Sequence, residues 1–279
     1  MPERFLADCH VHSNCSFDGK NTVSELCKEA VKKQLNAVTI TDHLEVPLLD
    51  KPNGEMGDFR SLIPLSVKKI NQAKEQYKGI LDVFCGVEIG EPCHDIKKAQ
   101  EALAFSDFDY VLASVHNLRG KSDFFWLEYS ADNVNDYLNL YFDEILETVN
   151  WGKFNSLAHL TYPLRYIVLK TEINVDLSLF SKKIDEIFKI MIEKELALEI
   201  NTSGLRQKIG KTLPDTEIIQ RFRELGGKYI TLGSDAHNCK DLAFGLIQGL
   251  KEAQTAGFTE YTVFKQRKPN LFSINEAMI

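Results

Sequence analysis

Seven times along the chain a short, mostly apolar run gives way to a longer stretch whose apolar residues fall at helical spacing, and few folds accommodate that alternation. The short runs cover residues 5–12, 37–43, 83–89, 110–116, 156–160, 197–201 and 229–235, each of strand length. After the first run, Val23, Leu26, Cys27, Ala30 and Val31 keep a helical period, and Thr22 with Glu25 three residues later forms a capping box. Further helices are expected over residues 61–77, 97–104, 133–149, 179–194, 215–225 and 242–256, with Gly79, Gly226, Gly227 and Gly257 placed to close them in a left-handed conformation. A last strand-like piece covers residues 261–264. Strands alternating with helices build a parallel sheet with crossover helices, and 279 residues is the size of one α/β barrel. With no low-complexity linker and no longer repeat, a single domain over residues 1–279 is expected.

Composition excludes several classes of function. The chain is 44% hydrophobic and 26% charged, an ordinary globular balance that leaves no room for a disordered or fibrous protein. The 33 basic residues against 40 acidic ones give a net charge of −7 without a basic run to track a phosphate backbone, so no nucleic-acid partner is expected. No apolar run is long enough to span a bilayer, and the first residues lack the basic-then-apolar pattern of a secretion signal. The expectation is a cytoplasmic protein without membrane association. Its six thinly spread cysteines read as reduced thiols. Oligomeric state is not legible in the sequence.

The histidines carry the chemistry. Of the seven in the chain, His10, His12, His43, His116, His159 and His237 lie at or just past the ends of expected strands, whereas His94 reads as a surface residue. In a parallel barrel the C-terminal strand ends share one face, so the six converge. A strand period of two puts Asp8, His10 and His12 on one side of the first strand, with Cys9 turned away. Asp235 and His237 repeat the arrangement on the seventh, while Asp42 next to His43 and Glu88 on the third strand add carboxylates. A single histidine is more often a hydrogen-bonded core or surface residue; six at strand ends are not explained that way. Imidazole with carboxylate suits zinc, manganese or iron, and the lack of clustered thiolates argues against a structural cysteine site.

The motifs Asp8-Cys9-His10-Val11-His12, Thr41-Asp42-His43, Glu88, His116, His159 and Asp235-Ala236-His237 resemble the PHP (polymerase and histidinol phosphatase) superfamily over nearly the whole chain. The resemblance implies a distorted (β/α)7 TIM-like barrel with two or three divalent metal ions at the C-terminal ends of its strands. It implies a first ion held by His10, His12, Glu88 and Asp235, and a second by His116 and His159 with Glu88 bridging. A third would use His43 and His237, with Asp18 where many relatives carry histidine.

Length and the absence of appended polymerase elements resemble the histidinol-phosphate phosphatase group. The function implied is hydrolysis of L-histidinol phosphate to L-histidinol and phosphate in histidine biosynthesis. Arg165 and Arg206, following the fifth and sixth expected strands, are candidates for binding the phosphate, since guanidinium recognises phosphate in a two-pronged way. No GxSxG nucleophile elbow occurs, which points to direct attack of metal-bound hydroxide on phosphorus without a phosphoenzyme. Asp8 and Asp42 are expected to orient neighbouring imidazoles or to carry protons. Glu45, Asp58 and Glu91 are the loop carboxylates available to read the ammonium of histidinol. A second reading keeps the metal site and changes the substrate to nucleotide ends, short oligonucleotides or phosphotyrosine, and a third makes the chain a noncatalytic metal-binding module.

Overall fold

The computed structural model describes residues 5–51 and 57–279. Residues 1–4, which belong to the N-terminal pattern read above, lie outside it.

Seven strand positions run parallel around a nearly closed barrel. In chain order the strands are β1 (Ala7–Val11), β2 (Ala37–Ile40), β3 (His43–Glu45), β4 (Asp82–Gly90), β5 (Tyr110–Ser114), β6 (Ser156–Leu157), β7 (Ala197–Asn201) and β8 (Ile230–Gly233). The order around the sheet is β1-β2-β4-β5-β6-β7-β8. Strands β2 and β3 occupy one position, both pairing with β4, and the run read as one strand over residues 37–43 is interrupted at Thr41 and Asp42. Closure between β8 and β1 depends on the segment after β8: the Asp235 N–H donates to the His10 carbonyl at 2.8 Å and the His12 N–H to Ala236 at 2.9 Å.

The connecting helices are α1 (Val23–Lys32), α2 (Phe59–Gln76), α3 (Ile96–Leu103), α4 (Val134–Trp151), α5 (Tyr162–Lys170), α6 (Ser181–Glu193), α7 (Thr216–Glu224) and α8 (Leu246–Thr255), with α9 (Ile274–Ala277) at the C-terminus. Helix α1 carries the reciprocal Thr22–Glu25 cap expected of it, and its Val23, Leu26, Cys27 and Ala30 are buried. The longer helices end within a few residues of their expected limits. Helix α5 is not among the expected helices; its Pro163 lies in the first turn, where the missing N–H has no intrahelical partner to lose. Arg165 is therefore held on a helix, one turn in.

The tail forms a hairpin, where the sequence suggested one strand. Strands β9 (Glu260–Lys265) and β10 (Lys268–Ser273) pair antiparallel, with Gln266 and Arg267 in left-handed conformation at the turn. Phe264 stacks 5.6 Å from Tyr110 at the start of β5, and the Tyr261 hydroxyl donates to the Phe5 carbonyl at 2.8 Å, so the hairpin covers the N-terminal end of the barrel. The buried Asp109 ties this end together by accepting from the Cys85 N–H, the Gln266 N–H and the Lys74 ammonium. Inside the barrel, Tyr110 reaches Thr231, and Thr231 reaches Ser156, a polar layer below the histidines. The C-terminal ends are left to form a site.

Candidate metal centre and cavity

One buried carboxylate lies at the middle of five imidazoles. Glu88, fully buried near the end of β4, has oxygens 3.0 Å from His43 Nδ1, 3.1 Å from His159 Nε2, 3.3 Å from His116 Nε2, 3.5 Å from His10 Nε2 and 3.6 Å from His12 Nε2. Asp235 Oδ1 faces His10 and His12 at 3.7 and 3.6 Å, and His237 Nδ1 at 3.6 Å. Asp18 completes the outer side, 3.0 Å from His237 Nε2 and 3.8 Å from His43 Nε2. All nine residues expected from sequence to surround the centre are thus brought together, from strands β1, β3 and β4 and from the segments after β1, β5, β6 and β8.

The donor geometry fits metal ions. The sets His10–His12–Glu88, His43–Glu88–His116 and His12–His43–His237 each present ligand atoms within 4.8 Å of one another. His10 Nε2 and His12 Nε2 face each other at 2.9 Å, and His116 Nε2 and His159 Nε2 at 3.4 Å, an arrangement of converging nitrogens that a cation between them would satisfy. Glu88 Oε2 has no hydrogen-bond partner among the described residues although it is buried. Leaving such a group unpaired is costly, and coordination removes that cost.

Opposite ring nitrogens are anchored. His10 Nδ1 lies 2.6 Å from Glu199 Oε1, His116 Nδ1 lies 3.1 Å from Glu45 Oε1, and His12 Nδ1 lies 3.2 Å from the Ser16 hydroxyl. Holding a proton at Nδ1 turns the Nε2 lone pair toward the centre. Glu199 was missed in the sequence. Its signal is a carboxylate between Leu198 and Ile200 on a strand buried along its whole length, two residues from Asn201, which also faces inward. Gly233 makes the space: a Cβ there would collide with Glu199 and His10.

Charge follows geometry. Counting the protein's own charges, burial acts to raise the Glu88 pKa but is outweighed by His10, His116 and His43, which hold it well below the carboxylate range. At His12, burial and then the neighbouring imidazoles of His237, His43 and His10 all disfavour the proton and keep the ring neutral. Replacing Glu199 by glutamine should keep the fold but weaken the hold on His10, lowering metal affinity or turnover about 10- to 100-fold. Metal content measured beside far-UV circular dichroism checks this, and unchanged affinity and turnover would show that Glu199 does not orient His10.

Asp8 and Asp42 differ from expectation, because neither carboxylate touches an imidazole ring. Asp8 accepts from the Ser234 N–H and hydroxyl and from the Ala243 N–H, gripping both ends of the segment that carries Asp235 and His237. Asp42 accepts from the Ser13 N–H and from the hydroxyls of Ser13, Ser16 and Ser66. It reaches His12 only through Ser16, whose oxygen also accepts from the His43 N–H. Both are fully enclosed and neither lines the cavity. Their contacts are those of anchors for the loops that carry the histidines.

The cluster opens into a cavity of about 630 Å³. Its aromatic wall includes Phe17, Phe125, Trp126, Tyr162 and Tyr166, and Arg165, Glu45, Glu91 and Asp123 also line it. Arg165 is buried, with its guanidinium 3.4 Å from Asp235 Oδ2, 3.2 Å from the Ser203 hydroxyl and 4.7 Å above the Tyr162 ring, while its Nε has no partner among the described residues. The two terminal nitrogens of Arg206 donate to the carbonyls of Ser234 and Asp235 at 2.6 and 2.7 Å. It braces Asp235, whose φ of 53° is left-handed, and lines a smaller adjoining cavity of about 210 Å³ together with Arg165 and His237. Asp58 lies away from the site, capping α2 at the surface. His94 pairs with Glu144 at 2.6 Å, also away from the site.

Residues 8–203 match the PHP domain, most of the chain, from β1 through β7. The chain belongs to the PHP domain family. A probable histidinol-phosphatase of Thermotoga maritima is 31% identical to this PHP protein over 265 residues, covering 94% of this chain and 97% of that protein. A histidinol-phosphatase of Lactococcus lactis is 26% identical, covering 94% and 95%. The crystal structure of the Lactococcus lactis histidinol phosphate phosphatase, complexed with zinc, L-histidinol and phosphate, superimposes with a TM-score of 0.80 at 25% identity, covering 95% of this chain and 98% of that one. The PHP barrel described above is thus the fold of that Lactococcus lactis phosphatase. Among the described residues no helix is long and apolar enough to cross a membrane.

Proposed function

We propose that this PHP protein is a metal-dependent phosphomonoesterase that releases phosphate from L-histidinol phosphate. The observation that carries the chemistry is Glu88 ringed by five imidazole nitrogens at the floor of a cavity that also holds a buried arginine. The observation that favours this substrate is the relative of 0.80 TM-score that carries zinc, L-histidinol and phosphate in the same barrel.

His10, His12, Glu88 and Asp235 would hold one ion, His116 and His159 a second with Glu88 shared, and His43, His237 and Asp18 a third. Divalent ions bound there would supply Lewis acidity toward phosphoryl oxygens and lower the pKa of water, which replaces a protein nucleophile. The protein's own part is positioning. Glu199, Glu45 and Ser16 hold Nδ1 of His10, His116 and His12 and so aim the opposite ring nitrogens. Arg165, fixed by Asp235 and Ser203 on the cavity side of α5, offers its guanidinium to the phosphoryl oxygens. The aromatic wall of Phe17, Phe125, Trp126 and Tyr166 gives a flat, mostly apolar surface suited to an imidazole.

Steady-state phosphate release compared among L-histidinol phosphate, 4-nitrophenyl phosphate, phosphotyrosine and a dinucleotide tests this reading. A kcat/KM for L-histidinol phosphate at least about 10²-fold above the others is expected from a site that pairs with substrate polar groups. Preference for the nucleotide or phosphotyrosine would leave a phosphoesterase with a different substrate.

A further inference from the structure

In the wall of the cavity, two glutamates are buried together. Glu45 and Glu91 are 5% and 1% exposed, and both line the cavity. Each has one oxygen committed and one free. Glu45 Oε1 lies 3.1 Å from His116 Nδ1 and 3.2 Å from His43 Nδ1, and Glu91 Oε1 accepts from the backbone N–H groups of His116 and Asn117 at 2.5 and 3.2 Å. The second oxygens, Glu45 Oε2 and Glu91 Oε2, are buried with no hydrogen-bond partner among the described residues. Gly90 leaves room for the pair, since a Cβ at that position would collide with the Glu45 carboxylate. Glu91 itself has a φ of 47°, a left-handed conformation that glycine or asparagine adopts more readily. A bulky acid is thus kept in a disfavoured backbone state at the wall of the cavity, next to another acid, with one oxygen lacking a hydrogen-bond partner among the described residues. A left-handed non-glycine backbone beside buried polar atoms with no hydrogen-bond partner is found where a ligand completes the structure.

We propose that Glu91, with Glu45 beside it, is the subsite that binds the primary ammonium of the substrate, and that Glu91 selects amine-bearing phosphomonoesters over amine-free ones. The assignment rests on the phosphomonoesterase reading above and adds the residue that reads the leaving alcohol. An ammonium carries three donors and one positive charge, which match two free carboxylate oxygens in an enclosed place. The position suits the reach: ligand atoms of Glu45, Glu91 and His116 lie within 4.8 Å of one another, and His116 Nε2 is 3.3 Å from Glu88. In L-histidinol phosphate only two carbons and the ester oxygen separate the amino nitrogen from phosphorus. A divalent ion is less suited to the niche. His116 has no ring nitrogen to spare, because Nδ1 faces Glu45 and Nε2 faces Glu88 and His159.

Glu91 can be changed with less disturbance than Glu45, because its carboxylate contacts backbone N–H groups and no imidazole ring. The experiment compares wild type and Glu91→Gln, each with its metal content quantified, on two substrate pairs: L-histidinol phosphate with its des-amino analogue, and 2-aminoethyl phosphate with ethyl phosphate. Wild type is expected to favour the amine-bearing member of each pair. In Glu91→Gln, kcat/KM should fall on the order of 10²-fold or more for the amine-bearing esters and hardly at all for the amine-free ones. Inhibition by L-histidinol should weaken in parallel, whereas inhibition by inorganic phosphate stays as in wild type. Equal losses on both members of a pair, or a loss of bound metal, would overturn the assignment. The two readings separate cleanly. If wild type shows no preference for L-histidinol phosphate over aryl phosphates but Glu91→Gln abolishes discrimination between the aminoethyl and ethyl esters, the substrate reading falls and the ammonium subsite stands. If wild type favours L-histidinol phosphate and Glu91→Gln slows both members of each pair alike, the subsite falls and the substrate reading stands.

Discussion

Glu88→Gln is expected to fold as wild type does and to lose at least about 10³-fold in turnover, the rate equivalent of several kcal/mol of charge stabilisation. The side chain is fully buried and glutamine has the same shape, so the barrel keeps its packing. What changes is the charge shared by His10, His12, His43, His116 and His159, all within 3.6 Å of the carboxylate. Without that charge, the sets His10–His12–Glu88 and His43–Glu88–His116 lose the carboxylate they share. Bound metal, measured by elemental analysis on protein that passes a thermal-unfolding check, should fall along with the rate. A variant that keeps both metal and rate would show that Glu88 is not shared between ions.

Arg165→Met should produce the second largest loss, in a different pattern. Removing one fixed donor to a developing oxyanion costs about 10²- to 10³-fold. The loss should appear for every phosphomonoester tested, amine-bearing or not, and inhibition by inorganic phosphate should weaken with it. Arg165→Lys should recover only part, because an ammonium cannot reproduce a planar fork held at once by Asp235 and Ser203. A loss confined to L-histidinol phosphate would instead assign Arg165 to the alcohol side of the substrate. Arg206 makes a useful contrast: its contacts are to the carbonyls of Ser234 and Asp235, so its removal should act through the Asp235 turn and lower metal affinity.

Much of the barrel was readable because its signals are periodic. Strand runs separated by helical runs predict a parallel sheet, and a period of two sends His10 and His12 the same way. The strand ends then bring His43, Glu88, His116, His159, Asp235 and His237 to one face without any knowledge of distance. The features that escaped depend on pairing between distant segments. Asp8 reaches Ser234 across 226 residues of chain, and no spacing rule connects them. Asp42 acts on His12 only through Ser16, a residue whose type is equally common in turns. Glu199 left a trace in a carboxylate set within an apolar strand, and its partner His10, 189 residues away, appears only once the barrel closes. Helix α5, short and opening with a proline in its first turn, was not among the expected helices, and with it went the placement of Arg165. Among the three loop acids, burial and orientation separate Glu45 and Glu91 from Asp58, which sequence alone leaves equivalent.

The most direct test of a metal-dependent phosphomonoesterase is a titration of chelator-treated protein with zinc, manganese or iron, following phosphate release from L-histidinol phosphate against equivalents of ion bound. The structure predicts negligible release from the stripped protein and a rise that levels off at two or three ions per chain. Full phosphate release from protein shown by elemental analysis to be free of metal would contradict it.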